Sequence, residues 1–226
     1  EVDYVARKIK QLRLEKNVPF DKINIACTNF DSYKNIFTQV FNEYNLPYYF
    51  DYQSSLKEHI LGRFLINLFY CFNTAFFEDY LFDVLKSPFL KKNILEVEKF
   101  ENYYKKCGIK NKMVLNSFID DEFETIRQNL MQELTVLYSK FEQAVTVKDF
   151  ADLLLSALEV FDCKNMLDQM GTDNGSDLSF QRATLQAYQK LLSCLEYLKY
   201  IYDEQISCEY FMCLLDSLLS STSLSS

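Results

Sequence analysis

Apolar positions recur at intervals of three and four from the first residues. Val2, Val5, Ile9 and Leu12 share one face of a helix over residues 2–16, with Lys8, Lys10 and Arg13 on other faces. The stretch NVPFDK then turns the chain, and INIAC, residues 23–27, is a short apolar run of strand type. Helical spacing returns over residues 32–44 through Tyr33, Ile36, Phe37, Val40 and Phe41, after which LPYYF, residues 46–50, reads as a second strand. Helix, strand, helix, strand with short turns predicts two parallel strands flanked by helices and joined by a right-handed crossover. Two strands do not make a stable sheet alone, so this α/β part reads as a piece of something larger.

From Ser55 the pattern becomes almost wholly helical, with segments at about 58–74, 76–87, 94–107, 119–142, 147–161, 178–203 and 207–219. Four glycines and three prolines punctuate the whole chain. Long helices require such scarcity, because an interior Pro costs about 3 kcal/mol and an interior Gly about 1 kcal/mol. Gly108, after YYKKC, fits a helix C-cap, and MGTDNGSD at 170–177 is the clearest loop. The expected fold class is mostly α with a small α/β N-terminal part. The expected division is residues 1–54 as the α/β unit, 55–219 as an all-α bundle, and 220–226 as a serine-rich linker or tail.

Composition narrows the class. Of 226 residues, 49% are hydrophobic and 16% aromatic, so the chain can bury a core, and the net charge of −8 leaves no global attraction to phosphate. Any nucleic-acid contact must be local. The seven cysteines form no CxxC pair, so reduced thiols in a cytoplasmic protein are expected rather than a disulfide framework or a zinc site. No apolar run reaches the roughly 18 residues that span a bilayer, and the charged opening EVDYVARKIK is unlike a signal peptide.

Several stretches invite a chemical reading. His59 is the sole histidine and Asp51 lies eight residues before it. A catalytic dyad would also need a nucleophile or a metal, and no GxSxG elbow is present, so the plainer reading is a histidine in the first turn of a helix beside an aspartate ending a strand. The acidic run IDDEFE, residues 119–124, could hold a hard cation, but at a helix start it suits capping and the helix dipole. In the calcium-loop register ending at Gly175, Met170 and Thr172 would occupy ligand positions, which fails. GxxxxGK[ST], GxGxxG and HExxH are all absent from the sequence, so neither ATP hydrolysis nor cofactor or metal binding is expected of these residues. Lysines gather at 86, 91 and 92, and again around YYKKCGIKNK. Aromatic rings interleaved with lysines can stack bases and hold phosphates, which makes Tyr103, Tyr104, Lys105, Lys106, Lys110 and Lys112 the candidate DNA contacts. The alternative is a solvated helix end with lysines near the negative end of the dipole.

The order of features resembles a known family. EVDYVARKIKQL, FDKINIACTNFDSYKNIF and Leu46-Pro47-Tyr48 look like the second RecA-like motor lobe of superfamily-one helicases of the UvrD/Rep type. DYQSSLKEHILGRFLINL, VLKSPFL and FENYYKKCGIKNK are similar to a narrower group, the helicase-like, nuclease-bearing B subunits of the AddAB and RexAB enzymes. The resemblance covers residues 1 to about 112 and implies helices beyond. It makes LPYYFDYQSSLKEHIL the seam between motor lobe and helical insertion, with Asp51 and His59 structural. Two departures stand out: Cys27 where active motors carry an arginine, and Ile60 in place of a proline after His59. Both suit an inactive lobe.

What the resemblance implies is a non-catalytic scaffold and DNA-channel segment of a protein that processes DNA double-strand breaks for recombinational repair. Its partners would be the catalytic helicase/nuclease A subunit and DNA. ATP, Mg²⁺ and an iron–sulfur cluster would sit elsewhere in the parent complex, and the cysteines here would not be cluster ligands. The competing reading is a helical protein-interaction module with no nucleic-acid role, which the negative charge favours.

Overall fold

The computed structural model describes residues 1–50, 53–173, 178–201 and 204–225, without the side chains of residues 31, 53–54, 171–173, 178–183, 201 and 225. The chain divides into two compact units, residues 1–51 and 52–226. No helix among the described residues is long and apolar enough to cross a membrane.

In the first unit, α1 (Val2–Lys16) buries Val2, Ala6 and Ile9, one stripe at helical spacing. That stripe packs with Phe37, Phe41 and Leu46 from and just after α2 (Phe30–Glu43). The Tyr33 hydroxyl donates to Glu1 at 2.8 Å and the Tyr44 hydroxyl to Asp3 at 2.6 Å, tying the second helix to the first. Asn17 stops α1 in the left-handed conformation at φ 52°.

The expected α/β unit is not what forms between these helices. Residues 23–27 and 46–50 belong to no strand, and no parallel pair or crossover exists among the described residues. Ile23 is extended (φ −104°, ψ 116°), but residues 24–29 lie exposed. A strand needs a ladder partner as well as strand-type residues, and these runs have none within the described chain.

The second unit is a helical bundle around α3 (Ile60–Asn73), which is buried on most of its circumference. Helices α4 (Glu78–Leu85), α5 (Ile94–Lys106), α6 (Asp121–Gln143) and α7 (Val147–Val160) follow close to the expected positions. Then come α8 (Cys163–Asp173), α9 (Leu178–Ile201) and α10 (Cys208–Ser221). α3 packs on α4, α9 and α10, while α7 packs on α6, α8 and α9. Phe69 joins these layers, its ring centroid 5.4 Å from Phe141, 5.5 Å from Phe150 and 5.2 Å from Phe211.

Two elements depart from expectation. α8 had no strong periodic signal; its apolar stripe is only Cys163, Met166 and Leu167, and its last residues run into what reads locally as loop. The stretch 174–177 of the expected loop lies outside the described residues. The serine-rich end, expected as linker, is the end of α10 followed by a strand, β2 (Ser223–Ser225). It pairs antiparallel with β1 (Gln53–Ser55), with Ser54 opposite Leu224. The Leu56 N–H extends the ladder to the Thr222 carbonyl at 2.7 Å, and Lys57 pairs with Asp216 at 2.6 Å. Burial of Leu56 and Leu224 in the bundle core holds the clasp shut.

Candidate nucleic-acid interface

The expected DNA contacts lie at the end of α5. Asn93 caps the start of that helix, accepting from the Leu95 N–H at 3.0 Å. At the other end Gly108 takes φ +63°, and the Ile109 N–H returns to the Tyr104 carbonyl at 3.0 Å, the expected glycine stop. A short helical turn, Asn111–Leu115, then leads toward α6.

This geometry separates the six candidates. Tyr104 is 1% exposed, its ring edge-on to Phe82 at 5.3 Å, and its hydroxyl accepts from the Asn111 N–H at 3.1 Å. A base cannot stack on a ring in the core, so Tyr104 anchors the chain after α5 instead. Tyr103 is stacked on Phe123 at 4.0 Å and 14°, and lies 5.4 Å from Phe118, so one face is covered from within. Lys105 bridges Glu101 at 2.7 Å and Glu78 at 3.3 Å, and these carboxylates raise its pKa. Glu101 is also held by Lys86 at 2.5 Å, and Lys105 and Lys86 together lower its pKa. Lys112 pairs with Glu142 at 2.6 Å and lies 5.4 Å from the Tyr138 ring centroid.

The other lysine group is likewise engaged, Lys91 with Asp162 at 3.4 Å and Lys92 with Glu133 at 3.0 Å. Of the seven clustered lysines, only Lys106 and Lys110 have no carboxylate in range among the described residues. A lysine already neutralised by a carboxylate gains less from a phosphate. The i,i+4 spacing of Glu101 and Lys105 was legible in the sequence. Glu142, thirty residues from Lys112, was not.

Salt dependence tests this division. Single-stranded DNA binding by the wild-type chain is expected to be weak, with a log–log salt slope of about −1.4, two phosphates at about −0.7 each. Lys106→Gln with Lys110→Gln should remove most of that slope, and Lys105→Gln with Lys112→Gln should leave it nearly unchanged. Fluorescence anisotropy across a salt series reads both; identical curves for the two double variants would remove Lys106 and Lys110 from any DNA path.

The remaining candidates have structural partners. His59 is the N-cap of α3, its Nδ1 accepting from the Leu61 N–H at 3.2 Å, which requires an unprotonated Nδ1; burial lowers its pKa in the same sense. Asp51 lies outside the described residues. In the acidic run, Asp120 caps α6, accepting from the Glu122 and Phe123 N–H groups. Glu124 forms a two-bond pair with Arg127 at 2.6 and 2.7 Å and accepts from the Phe118 N–H at 2.8 Å.

Arg127 first, and the Phe118 N–H second, hold the Glu124 carboxyl down to about 2. Its folded pKa lies below the ordinary value of about 4.3, so its stabilisation is complete above that value and is lost as pH falls toward 2. Urea midpoints of wild type and Glu124→Gln should therefore differ at neutral pH and converge between about pH 4 and 2. A constant difference across that window would place the pair's contribution elsewhere.

No family model matches the chain. Proteins named as the B subunits of ATP-dependent helicase/deoxyribonucleases do align with it. That of Clostridium novyi is 26% identical over 167 residues, covering 72% of this chain and 15% of the relative. That of Bacillus subtilis is 25% identical over 250 residues, covering 96% and 21%. That of Thermoanaerobacter pseudethanolicus is 21% identical over 238 residues, again covering 96% and 21%. This chain is thus a distant relative of the helicase/deoxyribonuclease B subunits, similar to them along most of its length and spanning about one-fifth of theirs or less.

Proposed function

We propose that these residues are a non-catalytic structural segment of a helicase-like B subunit, in a complex that processes DNA double-strand breaks with a catalytic A subunit. The observation that carries this reading is the alignment with B subunits over 96% of the chain. In this reading the helical unit is an insertion in a motor-like lobe. Its work is positioning: the bundle braces partner and DNA, and the few free lysines fix register on phosphates. ATP and Mg²⁺ are assigned to other parts of the complex. So is the iron–sulfur cluster; Cys71, Cys163 and Cys194 are buried here, and burial pushes the Cys163 thiol up to about 12.

The purified chain, incubated with labelled duplex, Mg²⁺ and ATP, is expected to turn over neither substrate above a blank. Hydrolysis that co-purifies with the protein would overturn the non-catalytic assignment. Deleting the aligned region from the Bacillus subtilis relative should abolish DNA-end degradation by its complex; undiminished degradation would remove the scaffold role.

A second reading, a protein-interaction module without a nucleic-acid role, has one observation in its favour. The seven acidic and seven basic side chains of residues 1–51 cancel, so the whole net charge of −8 sits in residues 52–226. An acidic bundle repels DNA except where lysines are free. A complex that assembles normally but binds DNA equally well without this region would select the second reading.

A further inference from the structure

The tyrosines of YYKKC turn inward, but the same end of the bundle carries rings that do not. In TAFFED, residues 74–79, Ala75 and Phe76 take φ of 53° and 68°, a left-handed turn made without glycine. The turn sends two neighbouring phenylalanines opposite ways. Phe76 is fully buried, its ring 4.7 Å from that of Tyr138, whereas Phe77 is 46% exposed. Phe77 is the outermost of three rings in a row: it lies 6.3 Å from half-buried Tyr80, which is stacked on half-buried Tyr70 at 5.1 Å and 14°. Tyr70 belongs to α3 and Tyr80 to α4, two helices that pack on each other, so the row is preformed.

Cations lie beside it. The Asn111 side-chain amide donates to the Thr74 carbonyl at 3.1 Å, which holds the loop after α5 against the TAFFED turn, and Lys105 reaches from α5 to Glu78, next to Phe77 in the chain. Lys106 and Lys110, the clustered lysines with no carboxylate in range among the described residues, directly follow Lys105 and precede Asn111. Asp79, in the first turn of α4, is an opposing charge, so the attraction for a polyanion is modest. A protein partner would match the rings alone; single-stranded DNA matches the rings and the lysines together.

We infer that Phe77, braced by Tyr80, is a stacking platform for one unpaired base of single-stranded DNA, with the flanking phosphates at Lys106 and Lys110. The inference deepens the DNA-positioning role proposed above and rests on it. Lysines alone hold any polyanion, and the ring makes this surface selective for an unpaired strand.

The test titrates the intact 226-residue chain by fluorescence anisotropy with two labelled single strands of about 12 nucleotides, one of thymidine and one abasic, equal in length and charge. Wild type should bind the base-bearing strand at least about fivefold more tightly, the lower end of what one stacked base contributes. Phe77→Ala should erase that difference without changing the salt slope, because stacking releases few counterions. Phe77→Leu, apolar but not aromatic, should lose most of it, and Phe77→Tyr should keep it. Lys106→Gln with Lys110→Gln should weaken both strands alike.

Equal affinity of wild type for the two strands, a difference that survives Phe77→Ala, or no binding of either strand overturns the inference. So does a dimer in sedimentation that Phe77→Ala dissociates while DNA binding is unchanged, since a second copy would then cover the rings. The deletion assay on the Bacillus subtilis complex separates the two failures: if deletion abolishes degradation while this chain treats both strands alike, the stacking inference alone falls.

Discussion

Phe69→Ala is expected to cost about 3–5 kcal/mol of stability, the largest effect of any single truncation considered for the helical unit. Phe69 is fully buried on α3 and touches the rings of Phe141, Phe150 and Phe211, one from each of α6, α7 and α10. Removing it opens a cavity where four helices meet, and close-packed neighbours from three other helices cannot all move in to fill it. Domains of this size are stable by about 5–15 kcal/mol in total, so the loss is a large share of what holds the bundle together. Phe77 is the control: it is 46% exposed, and Phe77→Ala should change stability by about 0.5 kcal/mol or less. Urea denaturation followed by far-UV circular dichroism compares the two. Equal midpoints for both variants would mean that α3 is not the centre of the core.

Gly62→Ala should also destabilise, against the usual sign. Glycine inside a helix is about 1 kcal/mol worse than alanine, so the substitution would ordinarily help. Here a methyl at Gly62 would overlap the Leu56 carbonyl oxygen, far inside van der Waals contact distance, with the Lys57 backbone just beyond it. Those are backbone atoms of the turn that follows β1, pinned by the hydrogen bonds from Leu56 to Thr222 and from Lys57 to Leu219, so they cannot rotate away as a side chain would. Overpacking of this kind costs about 1–3 kcal/mol, which outweighs the helix-propensity gain. Gly108→Ala probes a different cause, because nothing lies within 4 Å of a methyl there and only its φ of +63° opposes it, at about 1–2 kcal/mol. The two differ in a second readout: Gly62→Ala should loosen the β1–β2 clasp and speed amide exchange at Leu56, and Gly108→Ala should not. A Gly62→Ala protein more stable than wild type would show that the clasp yields.

The helices other than α8, and their stops, were legible in the sequence because they are local. A stripe such as Val2 and Ile9, a cap such as Asp120, and a glycine such as Gly108 declare themselves within a few residues. The same holds for the structural reading of the IDDEFE run and for the resemblance to B subunits, which depends on short stretches in order. What the sequence could not determine is pairing. Strand-type residues at 23–27 and 46–50 formed no ladder within the described chain, while SSTSLSS, with little strand character, became β2 because β1 and the burial of Leu224 await it some 170 residues earlier in the chain. The candidate DNA contacts divided for the same reason. Tyr104 went to the core and Lys112 to Glu142 through neighbours brought near only by the packing of helices, whereas Lys106 and Lys110 have no carboxylate in range among the described residues. Periodicity determines which face of a helix is apolar; the tertiary structure decides what covers it, because burial, ladders and ion pairs join residues whose separation along the chain carries no local signal.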